Sequence, residues 1–538
     1  MSRYPLLAAS ALALALALFL TWPQALQMGS AVAMHNDAYF SMWRLGWIAH
    51  ALRTHPAHFY DANIYYPETG TLAYSDAILL EGALGAPLLW AGLSPVLVYN
   101  VLLLTGTAGS GLAMFVLVRY LTGNVGSALV SAAVFTLAPY RVEHFMHLEL
   151  QWSMWMPLAF WATHRAVEEE SWRFGVLAGL FVWLQMLSCV YYSVFLGIML
   201  GLLGTLLVAT TPRRRLTGLA SLAVGGLLAA CLALPYARVY ADTARRLGPR
   251  DIGEVATYSA HWLSYATAPY QNWLWGWSAG RFAGEELRVM PGVAALLLAA
   301  LGLFGRRSRM VWIYAALCAV AVELSLGLNG SLYGWLLNHV STLGGLRAIA
   351  RFSLLADACL AVLAGFGVSW LQTRCRSTHQ REWVAAVAII ALTLECGSAP
   401  MWLESVPHDP PSVYQVLRQL PDGVVAEFPM PEPGWIPGFD PHYQYWSMVH
   451  WKKLVNGYSG YASTRYAAML RTMLTFPDDG SIERLRNLDV RYVVIHEKLY
   501  ERDADYRALL ITLAARQELQ PMGRYHDWIG SAELFLLR

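Results

Sequence analysis

Residues 96–119 read VLVYNVLLLTGTAGSGLAMFVLVR, an unbroken apolar run with no charge before Arg119. Wound as a helix at about 1.5 Å per residue, it outreaches the ~30 Å hydrocarbon core of a bilayer. In water such a cylinder would need covering on every side, so the run reads as a membrane span. Ten further stretches of spanning length fall near 5–22, 124–140, 151–167, 174–188, 190–210, 217–236, 291–305, 310–327, 353–372 and 383–397. The segment 77–93 is apolar as well. Its length and its Gly and Pro content suggest a re-entrant or interfacial helix, or else one more span.

Composition agrees. The chain has 538 residues, 57% hydrophobic and 14% charged, with a mean hydropathy of +0.40. A soluble globular chain carries about 25% charged residues, so much of this surface is built for lipid. Many of the aromatic residues, among them 22 tryptophans, sit where spans meet loops, as expected at membrane interfaces. A net charge of +2 offers no case for nucleic acid. The 6 cysteines form no CxxC pair and none follows Cys396, which speaks against a disulfide framework or a zinc–thiolate site. Leu6 to Leu20 after a basic start also fits a secretory signal; the many spans that follow favour an uncleaved first helix.

Basic residues orient the chain. Arg3, Arg119, Arg213 to Arg215, Arg306, Arg307, Arg309, Arg374, Arg376 and Arg381 lie in short loops on alternate turns. Placing them in the cytoplasm satisfies the positive-inside bias. About eleven spans then put the C-terminus outside. The outer side receives long loops near 23–95, 238–290 and 328–352, plus the tail. The expected class is therefore a polytopic α-helical membrane protein, residues 1–397, followed by a soluble extracytoplasmic α/β domain, residues 398–538. In that tail Val424 to Phe428, Val490 to His496 and Ala532 to Leu537 read as strands. Tyr466 to Leu474, Ile482 to Leu488 and Ala504 to Glu518 read as helices.

Several side chains invite chemistry. His35-Asn36-Asp37 opens the first outer loop, ahead of an amphipathic stretch with Phe40, Trp43 and Trp47 at helical spacing. A helix in the headgroup plane would hold Asp37 at the membrane boundary. There its carboxylate can serve as a general base, or simply cap the helix. Further on, Glu68 in a Pro–Gly turn reads as solvated, Asp76 as the cap of the next helix, and Glu81 sits oddly inside an apolar run. The second outer loop packs Arg141, Glu143, His144, His147 and Glu149 together. If helical, His144 and His147 share a face. They can ligate a metal given a third ligand, bind a phosphate, or satisfy backbone groups. Trp273, Trp275 and Trp277 precede the run Glu285 to Gly292, and read as interface anchors or a sugar-stacking surface. Arg347 and Arg351 lie just before a span on the outer side, against the charge bias, and so call for a partner. That partner is a lipid-linked phosphate, whose oxygens match the guanidinium fork, or a carboxylate inside a span, Asp357 or Glu323.

The pattern resembles the GT-C superfamily of membrane glycosyltransferases, which includes oligosaccharyltransferases, protein O-mannosyltransferases and lipid A aminoarabinose transferases. The resemblance rests on the acidic residue of His35-Asn36-Asp37 after the first span, the long first outer loop, the many spans and the outer C-terminal domain. Locally, Tyr140-Arg141 through His147, Glu286 through Gly292 and Leu346 through Phe352 look like motifs of uncharacterised bacterial members. Some of these are called 6-pyruvoyl-tetrahydropterin synthase related membrane proteins, a name that describes no activity. One acidic residue stands here where several relatives have two adjacent.

The resemblance implies transfer of a sugar from a polyprenyl-phosphate carrier to a glycan, lipid or protein acceptor, with inversion, at the outer face of a bacterial inner membrane. Asp37 would be the base. Arg347 or Arg351 would neutralise the departing phosphate, and Arg141, His144, His147, Glu149 and Glu286 would orient the donor. No cofactor is certain; a divalent metal is the one left open. Two other readings stand beside it, a flippase or transporter of lipid-linked saccharides and a non-catalytic GT-C-like scaffold. A transporter should distribute its charges along a path through the bundle, whereas here they gather at one side apart from Glu323 and Asp357. The missing GxxxxGK loop argues against an ATP-driven pump.

Overall fold

The computed structural model describes residues 3–211, 215–305, 308–433, 436–461 and 463–538. Arg213, Arg214, Arg306 and Arg307, used above for orientation, lie outside the described residues. The chain forms two compact units that interleave in sequence. The first comprises Met1–Gln27, Asn100–Arg238 and Gly248–Trp402, and the second Met28–Tyr99, Val239–Leu247 and Leu403–Arg538.

The first unit is helical. Among the described residues, five helices are long and apolar enough to cross a membrane: Pro95–Thr122, Val125–Glu143, Val190–Ala209, Leu216–Leu247 and Ile349–Thr373. Tyr4–Leu20, Leu79–Trp90, Trp172–Ser188 and Val293–Gly305 are apolar but shorter. Leu79–Trp90 is the 77–93 segment, and it falls short of spanning length. At the centre of the first unit, helix Ser353–Thr373 is buried nearly throughout and packs against Val293–Gly305, Arg309–Ser325 and Val125–Thr136. Gly302 and Gly367 allow the closest approach: a Cβ on either would strike the backbone of the facing helix, at Leu363 and Leu298 respectively. Helix starts are capped in the expected way, by Asn124 ahead of Val125–Thr136 and by Ser377 with Gln380 ahead of Thr378–Cys396. Glu395 caps another helix from outside, accepting from the backbone N–H of Val293 at 2.5 Å and of Ala294 at 2.7 Å.

The second unit holds all the strands among the described residues. Its four-stranded sheet runs in the order Val424–Phe428, Val490–His496, Ser531–Leu537, Leu519–His526. The first pair is parallel and the other two are antiparallel. Parallel neighbours need a long crossover, supplied here by the chain carrying helices Asp440–Ser447, Thr464–Met473 and Asp479–Arg486. The three tail strands and three tail helices expected from the sequence are present within a few residues. Strand Leu519–His526 and helices Ser412–Gln419 and Asp440–Ser447 were not expected.

The loop expected near 23–95 clusters with the tail. Ala31–Ala33 pairs antiparallel with Leu403–Ser405, and helix Asn36–Thr54 packs on Leu79–Trp90 and on Asp440–Ser447. The compact unit is thus larger than residues 398–538. Phe40, Trp43 and Trp47 are buried, and the Trp43 and Trp47 indoles donate to the Asn63 side chain at 3.1 Å and the Phe59 carbonyl at 2.9 Å. Leu45 and Ile48 are buried as well, while Leu52 is exposed.

Two carboxylates behave differently from their expected roles. Glu68 is gripped by the hydroxyls of Tyr74 and Ser463 rather than solvated. Asp76 is buried, and its backbone carbonyl accepts from Arg44 at 2.6 Å; the cap of helix Leu79–Trp90 is Ile78. A further buried network joins strands in the tail. His496 contacts Asp527 at 2.7 Å and Glu427 at 2.9 Å, and Tyr414 donates to Glu427 at 2.6 Å. Burial alone would keep His496 neutral, but the two carboxylates outweigh it and push its pKa up to about 9.

Candidate functional site

In the first unit, the segment around His144 is a broken helix. Pro139 starts a short helix, Pro139–Glu143, which ends at His144. The chain turns through a 3.1 Å bond from the His147 N–H to the His144 carbonyl and restarts as Leu148–Gln151. Such a break exposes carbonyls, and Gln151 covers two of them, donating to Arg141 O at 3.2 Å and His144 O at 2.9 Å. Arg141 fastens the segment from inside, with Nε on the Phe135 carbonyl and Nη2 on Ser153 Oγ, both at 2.8 Å. It is fully enclosed and acts as a clamp on the backbone, so it does not join the histidines in a site. Glu149 is buried on the restarted helix. The two imidazoles therefore meet through a turn, with ring centroids 5.7 Å apart, and not through the helical face expected from their spacing.

A second segment brings the acid. Glu286 has φ +67°, the left-handed region that a non-glycine residue enters only when its surroundings hold it there. The holder is Glu143, which accepts from the Glu286 backbone N–H at 2.9 Å and from Arg288 through both oxygens at 3.2 Å. Glu143 and Arg288 were not assigned a site role from the sequence; their signal was an opposite pair of charges beside apolar runs. So aimed, the Glu286 carboxylate lies 3.3 Å from His147 Nε2. It also accepts from Arg351, with Nη2 to Oε1 at 2.8 Å and Nε to Oε2 at 3.2 Å. Donor atoms of His144, His147 and Glu286 all lie within 4.8 Å of one another. The third ligand that the histidine pair lacked in sequence is thus at hand.

The electrostatics are divided. Burial drives the His144 pKa down to about 3, so its imidazole is neutral. Burial would raise Glu286, but the Arg351 charge first, then the hydrogen bond from His147, outweigh it and hold the carboxylate well below its usual range. The Tyr140 ring lies 4.3 Å from that of His144, centroid to centroid and tilted by 50°, and its hydroxyl accepts from the Tyr192 hydroxyl at 3.0 Å.

Neither arginine pairs with the span carboxylates expected for it. Arg351 takes Glu286, and Arg347 takes Glu254 at 2.7 Å. Glu323 instead accepts from the backbone of Ser331 and Leu332, at 2.6 and 2.9 Å, where helix Leu332–His339 begins. Arg347 differs from Arg351 in access: its side chain is 30% exposed against 9%. Burial works against its charge, but Tyr191 and Glu254 more than compensate, so it stays a cation.

Asp37 belongs to the second unit. It sits in the first turn of Asn36–Thr54, and the cap is His35, whose Nδ1 accepts from the Asp37 N–H at 3.1 Å. The capping role open to Asp37 is thereby taken by its neighbour. Its carboxylate accepts from the Tyr458 hydroxyl at 2.9 Å and lies 3.3 Å from His35 Nδ1, with 11% of the side chain exposed. A carboxylate held by a hydroxyl and an imidazole can accept a proton from an incoming group. Tyr458 was not foreseen, being 421 residues away in sequence.

No protein-family model matches the sequence, and no curated protein sequence matches it. Solved structures do. The cryo-EM structure of the arabinofuranosyltransferase AftD from Mycobacteria aligns over 100% of this chain at 13% identity, with a TM-score of 0.65. This chain spans 40% of the length of that protein. A point mutant of the same protein gives TM-scores of 0.64 and 0.62 in two classes. An Archaeoglobus fulgidus oligosaccharyltransferase tethered to an acceptor peptide aligns over 98% of this chain and 74% of its own, at 13% identity and a TM-score of 0.49, too loose a likeness to carry an argument.

Proposed function

We propose that this chain, which has the fold of the GT-C membrane glycosyltransferases, transfers a hexosyl or pentosyl residue from a polyprenyl-phosphate donor to a glycan, lipid or protein acceptor. The observation that carries the reading is fold likeness over the entire chain to an arabinofuranosyltransferase. In this proposal about eleven segments cross a bacterial inner membrane, with the N-terminus in the cytoplasm, the residues from 398 onward outside, and the chemistry at the outer face.

Asp37 is the base of this reaction. It takes the acceptor proton as the acceptor oxygen or nitrogen attacks the sugar carbon from the face opposite the leaving phosphate, which inverts the centre. The carbon passes through oxocarbenium character, as in glycosidases. Tyr458 and His35 fix the carboxylate for the incoming acceptor. The leaving phosphate needs a cation. Of the two outer arginines, Arg347 suits this better, because its guanidinium is partly open whereas the Arg351 fork is closed on Glu286. Arg351 and Glu286 then position the histidines that orient the donor. The membrane contributes by confining the lipid carrier next to the site.

The test is a proteoliposome assay with radiolabelled polyprenyl-phosphate sugars, comparing the native chain with Asp37→Asn. Transfer should depend on Asp37. A variant that keeps full turnover would remove the base from the proposal, and a chain that moves the labelled lipid across the bilayer without transfer would make it a flippase.

A further inference from the structure

We propose that His144, His147 and Glu286 form a binding site for one divalent transition-metal cation, zinc being the first choice. Two imidazoles and one carboxylate are the ligand set that suits zinc and its neighbours, and three protein ligands leave a position open for water or another oxygen. The proposal stands without the reading of the chain as a glycosyltransferase.

Proximity is the first ground: one ligand atom from each of the three residues lies within 4.8 Å of the other two. His147 Nε2 and Glu286 Oε1 are already 3.3 Å apart, close to the spacing that metal–ligand bonds of about 2.0–2.2 Å give in a tetrahedron. The widest separation must close by about 1 Å, within reach of a side-chain rotation at His144 or His147.

The second ground is independent. His144 is 0% exposed, yet neither of its ring nitrogens has a hydrogen-bond partner. A buried polar group without a partner is unusual and calls for an explanation such as an ion. A core histidine that merely fills space would turn one nitrogen toward a carbonyl or hydroxyl. This one keeps a nitrogen beside the Glu286 and His147 donors instead.

The surroundings fit as well. Metal-ligating carboxylates are themselves held by hydrogen bonds from a second layer of residues. Arg351 supplies that for Glu286 through Nη2 at 2.8 Å, and Glu143 fixes the backbone of Glu286 in its left-handed conformation. The Arg351 charge offsets that of Glu286, so a bound dication leaves the site positive. The open position therefore favours an anionic oxygen, as hydroxide or an oxyanion.

The experiment uses the full chain in detergent, stripped with chelator, with one portion reloaded with excess zinc and then dialysed. Zinc content is measured by mass spectrometry, and cobalt(II) titration reads the d–d absorption of a nitrogen- and oxygen-ligated ion. Wild type should retain about one equivalent and develop the cobalt band. His144→Ala, His147→Ala and Glu286→Gln should each lose affinity by at least about tenfold. His339→Ala, an exposed histidine outside the cluster, should bind as wild type. Because His144→Ala opens a hole, His144→Asn is read beside it, with gel-filtration profiles to show that both are folded. The proposal is overturned if wild type takes up neither metal, or if the three ligand variants bind as tightly as wild type. It is equally overturned if the stripped protein binds inorganic phosphate through His144 and His147 without any cation.

Discussion

The Arg351 guanidinium closes on the Glu286 carboxylate, Nη2 standing 2.8 Å from Oε1 and 3.1 Å from Oε2, across 65 residues of sequence. The pair ties the start of a buried helix to the loop whose left-handed backbone at Glu286 is held by Glu143. Both side chains are largely out of water, at 9% and 19% exposure. In that setting the loss of one partner costs more than the pair itself contributes, because the survivor is left as a bare charge.

Arg351→Ala should therefore destabilise the protein by about 3–5 kcal/mol. The double change Arg351→Met with Glu286→Leu should recover much of that loss, since no charge is then stranded. Thermal unfolding in a fixed detergent measures both. A double variant less stable than Arg351→Ala would mean that the pair does more than neutralise itself.

Asp37→Asn keeps the shape of the side chain and removes its basicity. Transfer should fall by about 100-fold or more in kcat, the contribution typical of a general base, with little change in KM. Tyr458→Phe should cost less, about tenfold, as the loss of one hydrogen bond to a charged group. Steady-state kinetics on labelled donor separates the two. Equal losses in the two variants would shift the role of Asp37 from proton transfer to structure.

The tail carries its own pH dependence. An unfolded histidine titrates near about 6.5, while His496 is raised to about 9 by Asp527 and Glu427. A raised folded pKa gives stability that is complete below about 6.5 and lost as pH climbs through about 9. Glu427, raised by burial despite its bonds to His496 and Tyr414, works in the same direction. Hydrogen exchange along Val490–His496 should thus quicken between these values, by the equivalent of about 3 kcal/mol. His496→Gln should flatten the profile.

Gly367→Val should destabilise the helical unit by about 3 kcal/mol, because a side chain there meets the Leu298 backbone and not a movable side-chain tip. An unchanged unfolding temperature would mean that helices Val293–Gly305 and Ser353–Thr373 sit farther apart than described.

Much of this architecture is local in origin and was open to reading. Spanning helices announce themselves by length and apolarity, and the central strand Val490–His496 by its β-branched run Val493 to Ile495. Leu519–His526 escaped because Pro521 and Gly523 look like turn residues; it lies at the edge of the sheet, where the register shifts at that point and a missing N–H is tolerated. The break after Pro139 was hidden for a different reason. The i, i+3 spacing of His144 and His147 suits a helix and a turn alike.

The sequence by itself determined where the apolar helices run, three of the tail strands, and that the unusual charges lie near Asp37, His144 to Glu149, Glu286 and Arg347 to Arg351. Only the tertiary structure decided that Arg351 meets Glu286, that Arg347 meets Glu254, and that residues 28–99 share a unit with 403–538. Hydrophobic periodicity is written within a dozen residues and needs no partner to be seen. Which charge neutralises which depends on the path of the whole chain, and any of several carboxylates would have satisfied the same arginine.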